Sequence, residues 1–325
     1  MKIYIFFVML FGMFPNLCAA QTETVVQLET ETGVLEGSLL IPRETDSIPV
    51  ALIIAGSGPT DRNGNQPALQ NNSLKMLATR LACNGIASLR YDKRGIGKSI
   101  QAGGREQDLR FEHYISDARG WINWLRKDQR FNEITVIGHS EGSLLGMIAS
   151  QQNHADKFVS IAGPGLSADE CLREQLRSQP PEVWKTALPI IEKLKQGKTV
   201  TEVNPMFHSL FRLSVQPYLI SWFTYDPVKE IAKLKIPVLV IQGSADIQVS
   251  QKDARLLAKA NLNSDMKIIK SMNHIFKKVG PDRIKNIASY NQPDLPIMPE
   301  LIDNVTNFIK EKKDKPVKTA AEVGE

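Results

Sequence analysis

The chain has 325 residues, 42% of them apolar and 23% charged, enough nonpolar side chain to bury a full core in one large domain or in one domain carrying an insertion. That balance excludes a disordered or fibrous protein, and the formal net charge of +5 is spread along the sequence rather than gathered in a stripe. The basic run at residues 310–315 has no interleaved aromatics, so nucleic acid is not an expected partner.

The first residues read as an export signal. Lys2 precedes an apolar run over residues 3–14, followed by Pro15-Asn16-Leu17-Cys18-Ala19-Ala20-Gln21, with a cleavage site expected after Ala20. The run is too short to span a bilayer comfortably, and Leu17 is too bulky for a lipid-modified Cys18. The expectation is a periplasmic or secreted protein with no stable membrane insertion after cleavage; an uncleaved anchor is the alternative. Cys83 and Cys171 then remain, too few for a disulfide framework, and whether they are bridged stays open. Cys83 closes an apolar helical pattern as a small buried hydrophobe. With no C-x-x-C, no H-E-x-x-H and no His/Cys cluster, neither a metal nor another cofactor is expected.

Alternation of apolar and polar residues over 24–29 and 34–40 predicts two antiparallel strands joined through Glu31-Thr32-Gly33. Residues 50–55 form a continuous apolar run, hence a buried strand, opening into the Gly- and Asn-rich loop of residues 56–65. Leu74, Leu77, Leu81 and Ala82 mark a helix ended by Asn84-Gly85, and a strand at residues 86–91 leads into Asp92-Lys93-Arg94-Gly95-Ile96-Gly97-Lys98-Ser99. Tyr114, Ile115, Ala118, Trp121, Ile122 and Leu125 give the next helical stripe. Strands at residues 158–162, 238–241 and 266–270, and helices at 254–260 and 299–310, complete the alternation. The pattern calls for a mostly parallel sheet with helices on both faces. Residues 166–233 break the rhythm: they look helical and carry Trp184, Met206, Phe207, Phe211, Tyr218, Trp222, Phe223 and Tyr225. A helical cap inserted above the strand ends fits, its rings either facing substrate or filling the cap's own core. The expected division is a signal peptide at 1–20, a core at 21–165 and 234–312, a cap at 166–233 and a disordered tail at 313–325.

One stretch carries the chemistry. In Gly138-His139-Ser140-Glu141-Gly142 the preceding residues are β-branched, and Leu144, Leu145, Ile148 and Ala149 follow at helical spacing. The segment is therefore strand, sharp turn and helix, with a hydroxyl on the turn and the Glu141 N–H at the helix start, where an oxyanion could sit. A serine needs a base, and the base needs a group to orient it. Of the five histidines, His274 lies in a loop just beyond a strand and is the best base. His139 should point away from its neighbour, His113 suits a helix-capping role, and His154 and His208 sit at a helix end and in the cap. Asp246 directly follows a buried strand in Gly-Ser-Ala-Asp, whereas Gly163-Pro164-Gly165 offers no carboxylate in the corresponding place.

The loop from Ala55 to Gly64, the Asp92 to Ser99 turn and the order Ser140, Asp246, His274 together make the chain resemble the α/β-hydrolase superfamily, over residues 35–310. It looks most like capped bacterial esterases and serine-aminopeptidase-like hydrolases. The resemblance implies that a backbone N–H after the third strand joins the oxyanion hole. Carried over, that donor is Ser57, paired with Glu141; Gly56 is the alternative, because Ala55-Gly56 stands where many relatives have His-Gly. The Arg94 turn is expected to brace loops near the site, Asp61 and Arg62 to form a local ion pair, and the Glu141 carboxylate is a candidate contact for a cationic substrate group. The resulting expectation is a serine hydrolase acting on a small-molecule carboxylic ester through an acyl-enzyme. A peptidase or thioesterase with the same triad, and a non-catalytic binding protein on the same fold, are the alternatives.

Overall fold

A computed structural model describes residues 21–42, 47–152, 154–177 and 179–311. The expected signal peptide and its cleavage site, and the expected C-terminal tail, lie outside the described residues. The strands are β1 (Thr22–Thr30), β2 (Gly33–Ile41), β3 (Ile48–Ile54), β4 (Ala87–Tyr91), β5 (Phe131–His139), β6 (Lys157–Ile161), β7 (Val238–Gly243) and β8 (Ser264–Ile269). They form one sheet in the order β1-β2-β4-β3-β5-β6-β7-β8. The β1/β2 and β2/β4 pairs are antiparallel and every later pair is parallel.

The helices are α1 (Ser73–Cys83), α2 (Phe111–Arg126), α3 (Glu141–Ala149), α4 (Ala168–Arg177), α5 (Pro181–Lys195), α6 (His208–Phe211), α7 (Gln216–Trp222), α8 (Pro227–Ala232), α9 (Gln251–Ala260), α10 (Arg283–Ala288) and α11 (Pro299–Lys310). The continuous apolar run of β3 has a direct cause. Val50, Leu52 and Ile54 face a core shared with α2 and α3, while Ala51, Ile53 and Ala55 face a second core shared with α1 and α11. A strand covered on both faces leaves no position for a polar side chain. β1 and β2 sit at one edge, and β1 shows the half-exposed alternation expected there.

Helices α4 to α8 all fall between β6 and β7. Phe207, Phe211, Tyr218 and Phe223 are buried, and the Phe111 ring of α2 stacks on Trp222 at 5.7 Å and 5°. These rings fill the core of the insertion and its seam with α2; Met206 is exposed.

Candidate active site

The C-terminal ends of β3, β5, β7 and β8 lie at the same edge of the parallel sheet, and each delivers one part of the site. Chain that leaves a parallel strand there emerges into the crevice where open α/β sheets keep their ligands.

Ser140 stands between β5 and α3 with φ 54° and ψ −122°, a backbone region that L residues seldom occupy. Its N–H donates to Ile161 O at 3.0 Å and its carbonyl accepts from Ser143 N at 2.9 Å, so the turn is held from both sides. The flanking glycines are required by close approach. A Cβ on Gly138 would lie 2.3 Å from Gly142 O, and one on Gly142 would lie 2.3 Å from Ile54 O. From β3, Gly56 packs against the turn so tightly that a Cβ there would meet Ser140 Cβ at 3.1 Å. The backbone N–H groups of Ser57 and Glu141 have no acceptor among the described residues.

Asp246 follows β7 and its carboxylate is saturated. One oxygen accepts from His274 Nδ1 at 2.8 Å and Gln242 Nε2 at 2.9 Å, the other from the N–H groups of Gln248 at 2.8 Å and Val249 at 3.0 Å. Burial alone would raise its pKa, but the His274 charge and hydrogen bond and the two backbone donors outweigh it and hold the carboxyl below its ordinary value. An ionised carboxylate only accepts, so His274 Nδ1 carries the proton and Nε2 presents a lone pair. Among the described residues nothing hydrogen-bonds to the Ser140 hydroxyl.

The His274 loop is fixed by residues the sequence did not single out. Asn273, fully buried, donates to Asn286 at 3.1 Å and Ser289 at 2.8 Å, while Asn286 of α10 donates to Ala245 O at 2.7 Å. Helix α10 therefore ties the Asp246 loop to the His274 loop. No periodicity announces it, because one turn and a half of helix with exposed Ile284 and Ile287 has no apolar stripe facing the core.

His139 does point away from the serine: its Nε2 donates to His274 O at 2.9 Å, and the two rings lie 4.8 Å apart. Burial, followed by the neighbouring His274 charge, lowers its pKa to about 3. The unfolded chain takes up this proton near the ordinary 6.5, so between the two values folding excludes a proton and stability falls as pH drops. The loss is at most about 1.4 kcal/mol per pH unit. The Asp246 contribution acts lower, below the ordinary carboxylate range. Urea midpoints measured at pH 7 and pH 5 are expected to show the His139 loss, and His139→Gln to remove most of it. An unchanged pH slope in that variant would place the acid sensitivity elsewhere.

The remaining candidates take mostly structural places. Arg94 holds Asp117 of α2 with two nitrogens, one at 2.7 Å, and Thr32 at 2.9 Å, which anchors the turn after β4. Arg62 does not pair with Asp61. It pairs with Glu36 and with Asp92, the latter at 3.4 Å, while Asp61 receives the N–H groups of Asn63 and Asn65. His113 Nδ1 accepts from Arg110 N at the start of α2, and His208 Nε2 bonds Val203 O at 3.0 Å in the insertion. Cys171 is a free thiol pushed up to about 12 by burial, so no bridge joins it to Cys83. The Glu141 carboxylate does not face a substrate: it accepts from Lys93 Nζ at 2.7 Å and from the Tyr218 hydroxyl, and its side chain is 2% exposed.

Comparison with known proteins bears on the fold and the family. A family model described as serine aminopeptidase, S33, matches residues 71–227. Esterase EstD of Thermotoga maritima is 28% identical over 267 residues, which cover 78% of this chain and 60% of EstD. The match thus spans less than two thirds of that relative. Among solved structures, Est1E from Butyrivibrio proteoclasticus superposes with a TM-score of 0.57 at 16% identity, covering 82% of this chain and 96% of Est1E. The α/β hydrolase GrgF from Penicillium sp. sh18 gives 0.59 at 17%, covering 89% and 98%. Sheet order, the strained turn at Ser140 after β5 and the superposed structures agree, and the chain has the α/β-hydrolase fold.

Proposed function

We propose that this protein is a serine hydrolase of small carboxylic esters, with Ser140 as nucleophile, His274 as general base and Asp246 as its orienting acid. The observation that carries the reading is the Asp246–His274 hydrogen bond of 2.8 Å at the same sheet edge as the strained Ser140 turn. His274 Nε2 takes the serine proton as Ser140 Oγ attacks the acyl carbon, and the imidazolium is balanced by Asp246. The N–H groups of Ser57 and Glu141 receive the negative oxygen of the tetrahedral intermediate. The proton passes to the leaving alcohol, water enters by the same base, and the acid departs.

A p-nitrophenyl ester turned over in step with stoichiometric fluorophosphonate labelling of the Ser140 peptide is the expected result. Labelling at another residue would refute the assignment.

The family-model match favours a second reading, release of N-terminal residues from peptides. Against it stands the engaged carboxylate of Glu141, which leaves that side chain unable to receive a free amine. Rates on p-nitrophenyl esters, acyl thioesters and aminoacyl p-nitroanilides separate these chemistries, with the esters expected to lead.

Export is proposed on the composition of residues 1–20. The mature protein recovered outside the cytoplasm is expected to begin at Gln21, as read by intact mass. A retained Met1 in that fraction would count against cleavage.

A further inference from the structure

Lys93 follows β4 and has no part in the chemistry above, yet its ammonium touches both halves of the proposed oxyanion hole. Its Nζ donates to Gly56 O at 2.6 Å and to Glu141 Oε2 at 2.7 Å. The Gly56 carbonyl belongs to the same planar unit as the Ser57 N–H. No cis peptide occurs among the described residues, so the two point in opposite directions. Fixing that carbonyl therefore fixes where the Ser57 N–H points. The second contact is to the side chain of the residue whose own N–H is the other donor.

The ammonium is enclosed by the groups it contacts. The Tyr114 ring lies 5.1 Å from Nζ, and Tyr218 of α7 donates its hydroxyl to the second oxygen of Glu141. Burial, then the charge on Glu141, keeps the Tyr218 phenol protonated and able to donate. The Lys93 and Glu141 side chains are each 2% exposed. An ion pair so deeply buried is not explained by stability, since apolar replacements of similar volume are often neutral or better. It does give an exact charge-assisted hold on one carbonyl, and it polarises that peptide so that the opposite N–H donates more strongly.

We infer that Lys93 is a positioning residue for the hydrolytic step: it sets the Gly56–Ser57 peptide so that the Ser57 and Glu141 N–H groups converge on one oxygen. Through the Tyr218 hydroxyl, the helical insertion is coupled to that setting. The inference rests on the assignment of Ser140 and the two amides made above.

The test uses the double variant Lys93→Met/Glu141→Gln, which removes both charges together and leaves an acceptor for Tyr218. Two substrates are compared, p-nitrophenyl butyrate and its thiono analogue, in which sulfur replaces the carbonyl oxygen. Sulfur is a weak acceptor, so a working oxyanion hole prefers the oxo ester. Loss of one aimed donor is expected to lower kcat on the oxo ester by about 10- to 100-fold with KM within about threefold. The oxo-to-thiono ratio of kcat/KM is expected to fall with it, which a merely structural defect would not produce. An unchanged kcat, a rise in KM alone, or a lower kcat with the ratio intact would each overturn the inference. Should near-UV circular dichroism show the double variant unfolded, Lys93→Met alone, which removes the hold on the Gly56 carbonyl, is read on the same ratio. Failure of the underlying assignment is visible separately: the wild-type protein would leave the oxo ester untouched, or Ser140→Ala would still turn it over.

Discussion

Replacing Ser140 by alanine is expected to lower kcat for an ester by at least about 10⁴-fold with little change in thermal stability. The substitution removes only a hydroxyl that makes no hydrogen bond among the described residues. The backbone bonds that shape the turn, Ser140 N to Ile161 O and Ser143 N to Ser140 O, remain. On the proposed mechanism, what survives is acceleration from the Ser57 and Glu141 amides acting on direct attack by water. Asp246→Asn is expected to cost about as much by another route. An amide there would donate to Nδ1 and drive the proton onto Nε2, so that His274 could no longer take one from the serine. Steady-state kinetics, with circular dichroism melts on the same preparations, measures both. A Ser140→Ala protein within tenfold of wild type would mean that another group attacks the ester.

Gly142→Ala is expected to produce a large loss of stability, about 3–5 kcal/mol, with most of the protein insoluble on expression. The added methyl would meet Ile54 O at 2.3 Å and Ala55 O at 2.7 Å, and both are backbone atoms of the central strand and its exit. Neither can rotate aside as a side-chain end would. Relief requires α3 to move off β3, which also opens the gap between Ser140 and Gly56. Gly280→Ala serves as the control, because a Cβ there meets nothing within 4 Å. Equal urea midpoints for the two variants would show that the helix–strand approach is slacker than the structure has it.

Much of this molecule was legible in its sequence, and the reason is burial. Strands such as β3 and β7 are covered on both faces and so announce themselves as unbroken apolar runs, which leaves Ser140, Asp246 and His274 conspicuous just past strand ends. Helix α11 was equally plain, because one apolar stripe packs against the sheet. The short helix α10 was not, since Asn286 works by hydrogen bonds across the chain rather than by periodic packing. Lys93 was hidden for a related reason: a lysine in a glycine-rich turn reads as solvated until folding sets Glu141, distant in sequence, against it. The Asp61–Arg62 pair failed because adjacent residues in a tight loop point different ways, and Arg62 found its acids on β2 and after β4.

The route of the chain through α8 limits how this scaffold can be remodelled. β6 ends at the edge that bears Ser140, Asp246 and His274, but β7 begins at the far edge, alongside the start of β6. Something must therefore travel the length of the sheet between them, and α8, lying against α3 and α9, is the last leg of that journey. Grafts that alter selectivity by exchanging helices have their downstream boundary before Asp226. A splice placed after it would take away a connector that any parallel neighbour of β6 needs, and the new loops would arrive on a sheet that had lost its register.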